Sequence, residues 1–426
     1  MSLGIAIAGF AFLVVIHELG HLLAAKAVGM RATRFFLFFP PKLVSVTWRG
    51  TEYGIGTIPL GGFVKIVGMT RPRGGDLIVC RESVERAAAE RDPAAVDALT
   101  PAFSRAERAL DANADAVTSL DALKRLRDAL AAESHLVDPE RLGWCRKELD
   151  RLELDCDPNA YWRKQTWRRL VAIFAGPAMN FLAAIVILFA WFVTGAQVPD
   201  KITRAVDYVS PGTPAASMGL QLDDRIFAVN GTPTSGYDAV HKVIQRPGTV
   251  TLTVRRGTRQ LELGPVTPST ASDGTRTLGF AFAYTTKTMR FGPVAAAKIT
   301  GRQVWYITTN TFSAFAHIFQ QSTRRGMGSA VGAVQRSSRS VDRGEFPFYI
   351  ALLSWGLALV NLLPFLPLDG GHILFAVLER IRRRPIAREV YERVSMIGLA
   401  AVLGLFAIGL LNDLGGLLHD PGIVSP

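Results

Sequence analysis

The sequence is short of cysteine. Cys80, Cys145 and Cys156 are the only three in 426 residues, an odd set without C-x-x-C spacing, so no disulfide framework is indicated and free thiols are expected. The first apolar stretch lacks the basic start and A-x-A-like site of a cleaved signal peptide, and is read as a retained segment. The tail NDLGGLLHDPGIVSP has no lysine or arginine. Duplicated halves are also missing, which weighs against a metal-ion transporter.

What is present is strongly segregated. Hydrophobic residues make up 49% and charged residues 20% of the chain, with a mean hydropathy of +0.22. A membrane-crossing helix needs about 20 mainly apolar residues. Four segments qualify: Leu3 to Val28, Leu170 to Thr194, Pro347 to Leu378 with prolines inside it, and Val394 to Leu411. The net charge of +12 gathers beside these segments rather than in a nucleic-acid-binding patch, so no nucleic acid partner is expected. Arg31 and Arg34 follow the first, Arg163 to Arg169 precede the second, and Glu379 to Arg388 follow the third. By the positive-inside rule those loops are cytoplasmic, which places both termini outside the plasma membrane.

Six regions follow. Residues 1–70 hold the first span and a segment rich in aromatic and β-branched residues, broken at Arg49-Gly50 and Gly61-Gly62, which predicts strands lying against or dipping into the membrane. Residues 71–160 turn to Ala, Arg, Glu and Asp. Leu120, Leu123, Leu126 and Leu130 recur at helical spacing there, and Asp138-Pro139 reads as a helix start, so a soluble, cytoplasmic helical insertion is expected. Residues 161–195 carry the second span. Residues 200–286 read as a β-rich domain in which RIFAVNG closes at an Asn230-Gly231 turn. The stretch VSPGTPAASMGLQLDDRIFAVNG resembles a PDZ domain of the bacterial type, with Asp223 where that family usually has glycine. Residues 287–346 form an amphipathic connector, and 347–426 the last two spans. The expected fold is thus a polytopic α-helical membrane protein of about four transmembrane helices, with a membrane-associated β segment, a PDZ-like domain and a helical insertion.

The chemistry concentrates in VVIHELGHLLA. His17 and His21 are four residues apart, so on a helix both imidazoles leave one face and can meet one Zn2+, with Glu18 beside them to take a proton from water. Ionisable residues in lipid cost free energy, about 2.5–3.5 kcal/mol for Asp or Lys at the centre on insertion scales. Three within five residues imply compensation by a metal or a partner. A catalytic zinc also needs a third protein ligand and an open position. Asp369, in the proline-broken NLLPFLPLDGGHILF, is the candidate, with His372 a possible competitor. The freed backbone in that segment must line something other than lipid. The strand segment Tyr53 to Ile66, with Gly61 and Gly62 permitting close approach, is a candidate edge for binding an extended peptide through main-chain hydrogen bonds.

HELGH in the first span, NLLPFLPLDGG in a later one and a PDZ-like domain between them resemble the site-2 protease family of intramembrane zinc metalloproteases, closest to the actinobacterial members acting in regulated intramembrane proteolysis. GTEYGIGTIPLGGFVKIVGM and FAGPAMNF extend the match, while residues 72–160 depart from it. The resemblance implies His17, His21 and Asp369 as zinc ligands, Glu18 as the base, and Asn361, Pro364 and Pro367 as residues engaging substrate. It further implies single-pass transmembrane substrates, anti-sigma factors or signal-peptide remnants, with the PDZ-like domain outside contacting a substrate ectodomain or tail, and with membrane lipid around the spans. The alternative is a receptor or scaffold whose PDZ-like domain binds peptide and whose metal, held by four protein ligands, is structural.

Overall fold

The computed structural model describes residues 2–418 apart from 92, 113–114, 136, 138, 211, 235, 271–274, 317–340 and 342–343. It is a mixed helix and sheet structure in two units, one formed by residues 11–181 and 357–399, the other by 1–10, 182–356 and 400–426.

The first unit begins on α1 (Ser2–Ala27). It is followed by β1 (Ala32–Trp48) and β2 (Thr51–Ile66), joined at Arg49 and Gly50, whose φ angles of 47° and 75° suit a tight two-residue hairpin turn. Both strands double back. Phe35 pairs with Val64 on one side and Tyr53 on the other, and Phe36 likewise with Phe63 and Gly54, so residues 34–37 run between the two halves of β2. The half holding 42–48 is then an outer edge, and Leu43, Val44, Val46 and Trp48 are exposed there.

Four helices come next, α2 (Ile78–Arg91), α3 (Pro93–Asp111), α4 (Ala116–Ala132) and α5 (Pro139–Asp155). The Asp115 carboxylate accepts from the Thr118 amide at 2.6 Å and caps α4. Leu123, Leu126 and Leu130, three and four residues apart, turn inward against Phe103 of α3 and Leu149 of α5 in one buried core. The Asp138 cap expected ahead of α5 lies outside the described residues. The expectation of free thiols is corrected here: Cys80 and Cys145 form a disulfide that pins α2 to α5, and only Cys156 is free and buried. Sequence carried no sign of this pairing, because the partners are 65 residues apart and meet only once the helices pack.

The helix α6 (Thr166–Thr194) links this unit to the second. There β3 (Ala196–Val209), α7 (Pro214–Ser217), β4 (Arg225–Val229), β5 (Thr232–Pro233), α8 (Tyr237–Ile244), β6 (Val250–Arg256), β7 (Arg259–Val266), β8 (Ser269–Thr270), β9 (Arg276–Thr277) and β10 (Phe280–Met289) follow. The main sheet runs β10-β3-β4-β6-β7 with β5 beside β4, and buries Val206, Ile226, Leu252 and Val254 under α7 and α8. Asp223 has φ +64°, so this aspartate adopts the left-handed geometry that glycine supplies most cheaply. Next to it Asp224 is wholly buried and holds Arg256 by two bonds of 2.7 and 2.8 Å, while also accepting from the Gln221 amide.

The chain then continues through α9 (Pro293–Ala316), α10 (Phe346–Asn361), α11 (Asp369–Arg382) and α12 (Arg388–Leu418). Two helical stretches among the described residues, Gly4–Ala27 and Thr166–Thr194, are long and apolar enough to cross a membrane. The expected third span is divided at residues 362–368 into α10 and α11.

Candidate active site

In α1 the four-residue spacing brings the His17 and His21 imidazoles together, with Nε2 atoms 3.2 Å apart. Asp369, the first residue of α11, points its Oδ2 at both, 3.1 Å from His17 Nε2 and 3.3 Å from His21 Nε2. Both histidines are buried. These three side chains are the group of potential metal ligands among the described residues.

The spacing of the three atoms can be tested against zinc. Tetrahedral coordination with bonds of about 2.0–2.1 Å sets ligand atoms about 3.3–3.4 Å apart. The observed 3.1, 3.2 and 3.3 Å match those edges. Each atom also has a lone pair to offer. His21 Nδ1 donates to the Ala172 carbonyl at 3.0 Å, which fixes the ring and leaves Nε2 unprotonated. The fully buried Asn180 amide places its nitrogen 3.3 Å from His17 Nδ1; turned over about its last bond, the amide would accept the Nδ1 proton and free Nε2 in the same way. The residues fit a zinc ion.

Close backbone packing holds the arrangement. A methyl group at Gly176 of α6 would strike the His21 ring, and one at Gly20 would strike the Ala175 carbonyl, so α1 and α6 approach only because both positions are bare. Gly370 and Gly371 play the same part where residues 362–368 fold against the start of α11, since side chains there would meet the backbone of Leu362, Leu363 and Phe365.

The other residues singled out in the sequence take different places. Asn361 reaches to 3.4 Å from His17 Nε2. Pro364 and Pro367 lie exposed on the 362–368 turn. Gly62 faces Val14 and Glu18 of α1, so the 62–66 half of β2 runs along the histidine-bearing helix; Gly61 instead neighbours Phe39. Glu18 is partly exposed. His372 stays outside the ligand group, with its ring 5.9 Å from that of Tyr391. Sequence reasoning passed over Asn180 and the Ala172 carbonyl. FAGPAMNF contains Asn180, and a polar side chain in an apolar segment is the signal the sequence offers for it.

Two helix-borne imidazoles and a distant aspartate form a group that could hold a metal ion, with a glutamate adjacent, the make-up expected of a metal-dependent hydrolase. The sequence matches the model of peptidase family M50 over residues 5–405. It is 30% identical over 425 residues to the regulator of sigma-W protease RasP of Bacillus subtilis, covering 95% of this chain and 96% of that one. It is 27% identical to the zinc metalloprotease RasP of Oceanobacillus iheyensis, again over 95% and 96% of the two chains. The chain belongs to peptidase family M50, the site-2 protease family, and is a zinc metalloprotease.

Proposed function

We propose that this enzyme hydrolyses peptide bonds within the transmembrane segments of single-pass proteins, with His17, His21 and Asp369 holding the zinc and Glu18 serving as general base. The observation that carries this reading is the set of 3.1–3.3 Å separations among two imidazole nitrogens and one carboxylate oxygen, beside Glu18 on an apolar helix. His17, His21 and Asp369 would hold a zinc ion there, which would supply Lewis-acid polarisation of a carbonyl and a water of pKa about 7. Glu18 accepts the proton of the attacking water and passes it to the departing amine. Asn361, at the end of α10, and the Pro364 and Pro367 turn engage the substrate next to the site.

A membrane helix screens its own peptide bonds, so it must be unwound before cleavage. The 62–66 half of β2, an outer strand of the doubled hairpin, is proposed to take the unwound segment by main-chain hydrogen bonding, with Gly62 allowing close approach. The proposed topology has four crossings, formed by α1, α6, the divided α10–α11 pair and α12. Both termini and the 200–286 sheet domain, read as PDZ-like, lie outside the cell, and the 71–160 helices lie in the cytosol. The domain boundaries proposed above for 1–70, 161–195, 287–346 and 347–426 go with this arrangement. Outside, the PDZ-like domain acts as a size filter or reads a substrate tail. Because RasP of Bacillus subtilis is named for sigma-W regulation, anti-sigma factors are the first substrates to try, followed by signal-peptide remnants.

The test is purified Glu18→Gln protein. It should keep one zinc per chain and cut a reporter transmembrane segment about 10²–10⁴-fold more slowly than the wild type. Cleavage at the wild-type rate removes Glu18 from the mechanism.

A further inference from the structure

A second site emerges from residues that the peptidase chemistry does not use. Between the start of α6, the chain after β2 and the end of α11 lies a cavity of about 640 Å³, within the size range of small-ligand pockets. Arg71, Arg163, Arg169, Arg380, Arg383 and Arg384 line it, and Glu379 is the one carboxylate among them. Glu379 is already engaged, with one oxygen on Arg169 Nη2 at 2.6 Å and the other accepting from the Ile386 amide at 3.0 Å. Among the described residues no carboxylate pairs with Arg163, Arg380, Arg383 or Arg384.

Simple flanking charge does not account for this convergence. Arginines serving only to orient spans gain nothing by crowding, and like charges in one cavity repel. Burial, with Arg73 and Arg163 nearby, holds the Arg71 guanidinium below its usual pKa, and burial does the same to Arg163. Arg163 Nε and Nη2 are buried without an acceptor, as is Arg169 Nε, and unmet donors of this kind cost free energy. Arg163 Cζ sits 4.2 Å from the centroid of the Trp162 ring, a cation–π contact. Thr166, the first residue of α6, also lines the cavity, and the first turn of that helix has no acidic residue to offset its positive end. Arg383 has φ +53°, a left-handed geometry uncommon for a non-glycine residue, at the turn that leads Arg383 and Arg384 into the cavity wall.

We propose that this cavity is a binding site for a phosphate-bearing anion, gripped by the forked guanidinium groups. Guanidinium planes match phosphate oxygens two by two. The source is the headgroup of an anionic phospholipid or a soluble phosphate, and these can be told apart experimentally. Basic pockets beside membrane helices on the cytoplasmic side commonly take such headgroups.

The experiment uses the full-length protein in neutral detergent, with binding followed by native mass spectrometry and by the rise in melting temperature. Phosphatidylglycerol, phosphatidylcholine and pyrophosphate are titrated separately. The variants are R383S/R384S, whose side chains are exposed, and a control of equal charge loss, R86S/R105S, exposed on the helical insertion. The expected result is phosphatidylglycerol affinity at least tenfold weaker in R383S/R384S than in wild type or control, with phosphatidylcholine indifferent. The same tenfold pattern with pyrophosphate alone keeps the site and assigns it a soluble ligand. Equal binding by all three proteins, or no binding of either anion to the wild type, overturns the proposal. None of these readouts depends on peptidase activity, so the outcome stands apart from that of the Glu18→Gln test.

Discussion

Asp369 and Asp224 are both withdrawn from water, one beside two histidines at the start of α11 and the other in the sheet domain, yet their surroundings differ in kind. Asp224 meets donors on every side: both oxygens bond Arg256, and one also takes the Gln221 amide. Asp369 Oδ2 faces two imidazole nitrogens, and the Ala172 carbonyl leaves that of His21 with its lone pair turned inward. A carboxylate kept for structure brings its counter-charge from the same chain. Asp369, in the proposed reading, takes its counter-charge from a zinc ion instead. The same contrast separates the leucine core of the helical insertion, complete in itself, from the arginine cavity, where donors outnumber acceptors.

Matched isosteric variants break this comparison most sharply. Asp369→Asn should lose stoichiometric zinc and peptidase activity while the melting temperature of the metal-free protein holds. Asp224→Asn should do the reverse, keeping zinc while the sheet domain loses about 3 kcal/mol, the lower end for a broken buried pair, since a third of the Arg256 side chain remains in water. Calorimetry with metal analysis reads both, and a shared loss of zinc would erase the distinction. A smaller effect is expected from Asn180→Ala, which leaves the ligands in place but frees the His17 ring: zinc affinity should fall about 10–100-fold. Competition with a chelator measures it, and an unchanged affinity would leave Asn180 a mere packing residue.

The insertion offers two further checks. If it faces the cytosol, the Cys80–Cys145 bond should be reduced in living cells, so that both thiols take maleimide once cells are rapidly denatured. A persistent bond would reverse the proposed orientation. The smallest effect concerns Cys156, whose thiol burial pushes up from about 9 to about 11. A raised value means its contribution to stability is intact below about pH 9 and is lost as pH climbs through about 11. Cys156→Ala should flatten that part of the stability profile.

The two imidazoles were legible because a helix turns every 3.6 residues, so their meeting is decided locally. Asp369 stood out as a lone acid in a proline-broken apolar run, but its approach to α1 depends on Gly370 and Gly371 packing against residues 362–366, which one sequence does not display. Asn180, the Ala172 carbonyl and the Cys80–Cys145 bond were hidden for the same reason: each is a contact between segments 65 to 163 residues apart. The doubling of β1 and β2 was hidden as well. Alternation marks strands, but not that one strand will be flanked twice by its own partner.

Asp369 opens α11, and that placement has its own consequence. The aligned peptide dipoles of a helix gather partial positive charge at its first turn, where an acid is welcome. The backbone therefore favours the Asp369 charge by itself, apart from any ion. Loading with zinc then resembles filling a socket already shaped by the backbone, so protein stripped by a chelator should regain activity on simple addition of the ion, without passing through an unfolded chain.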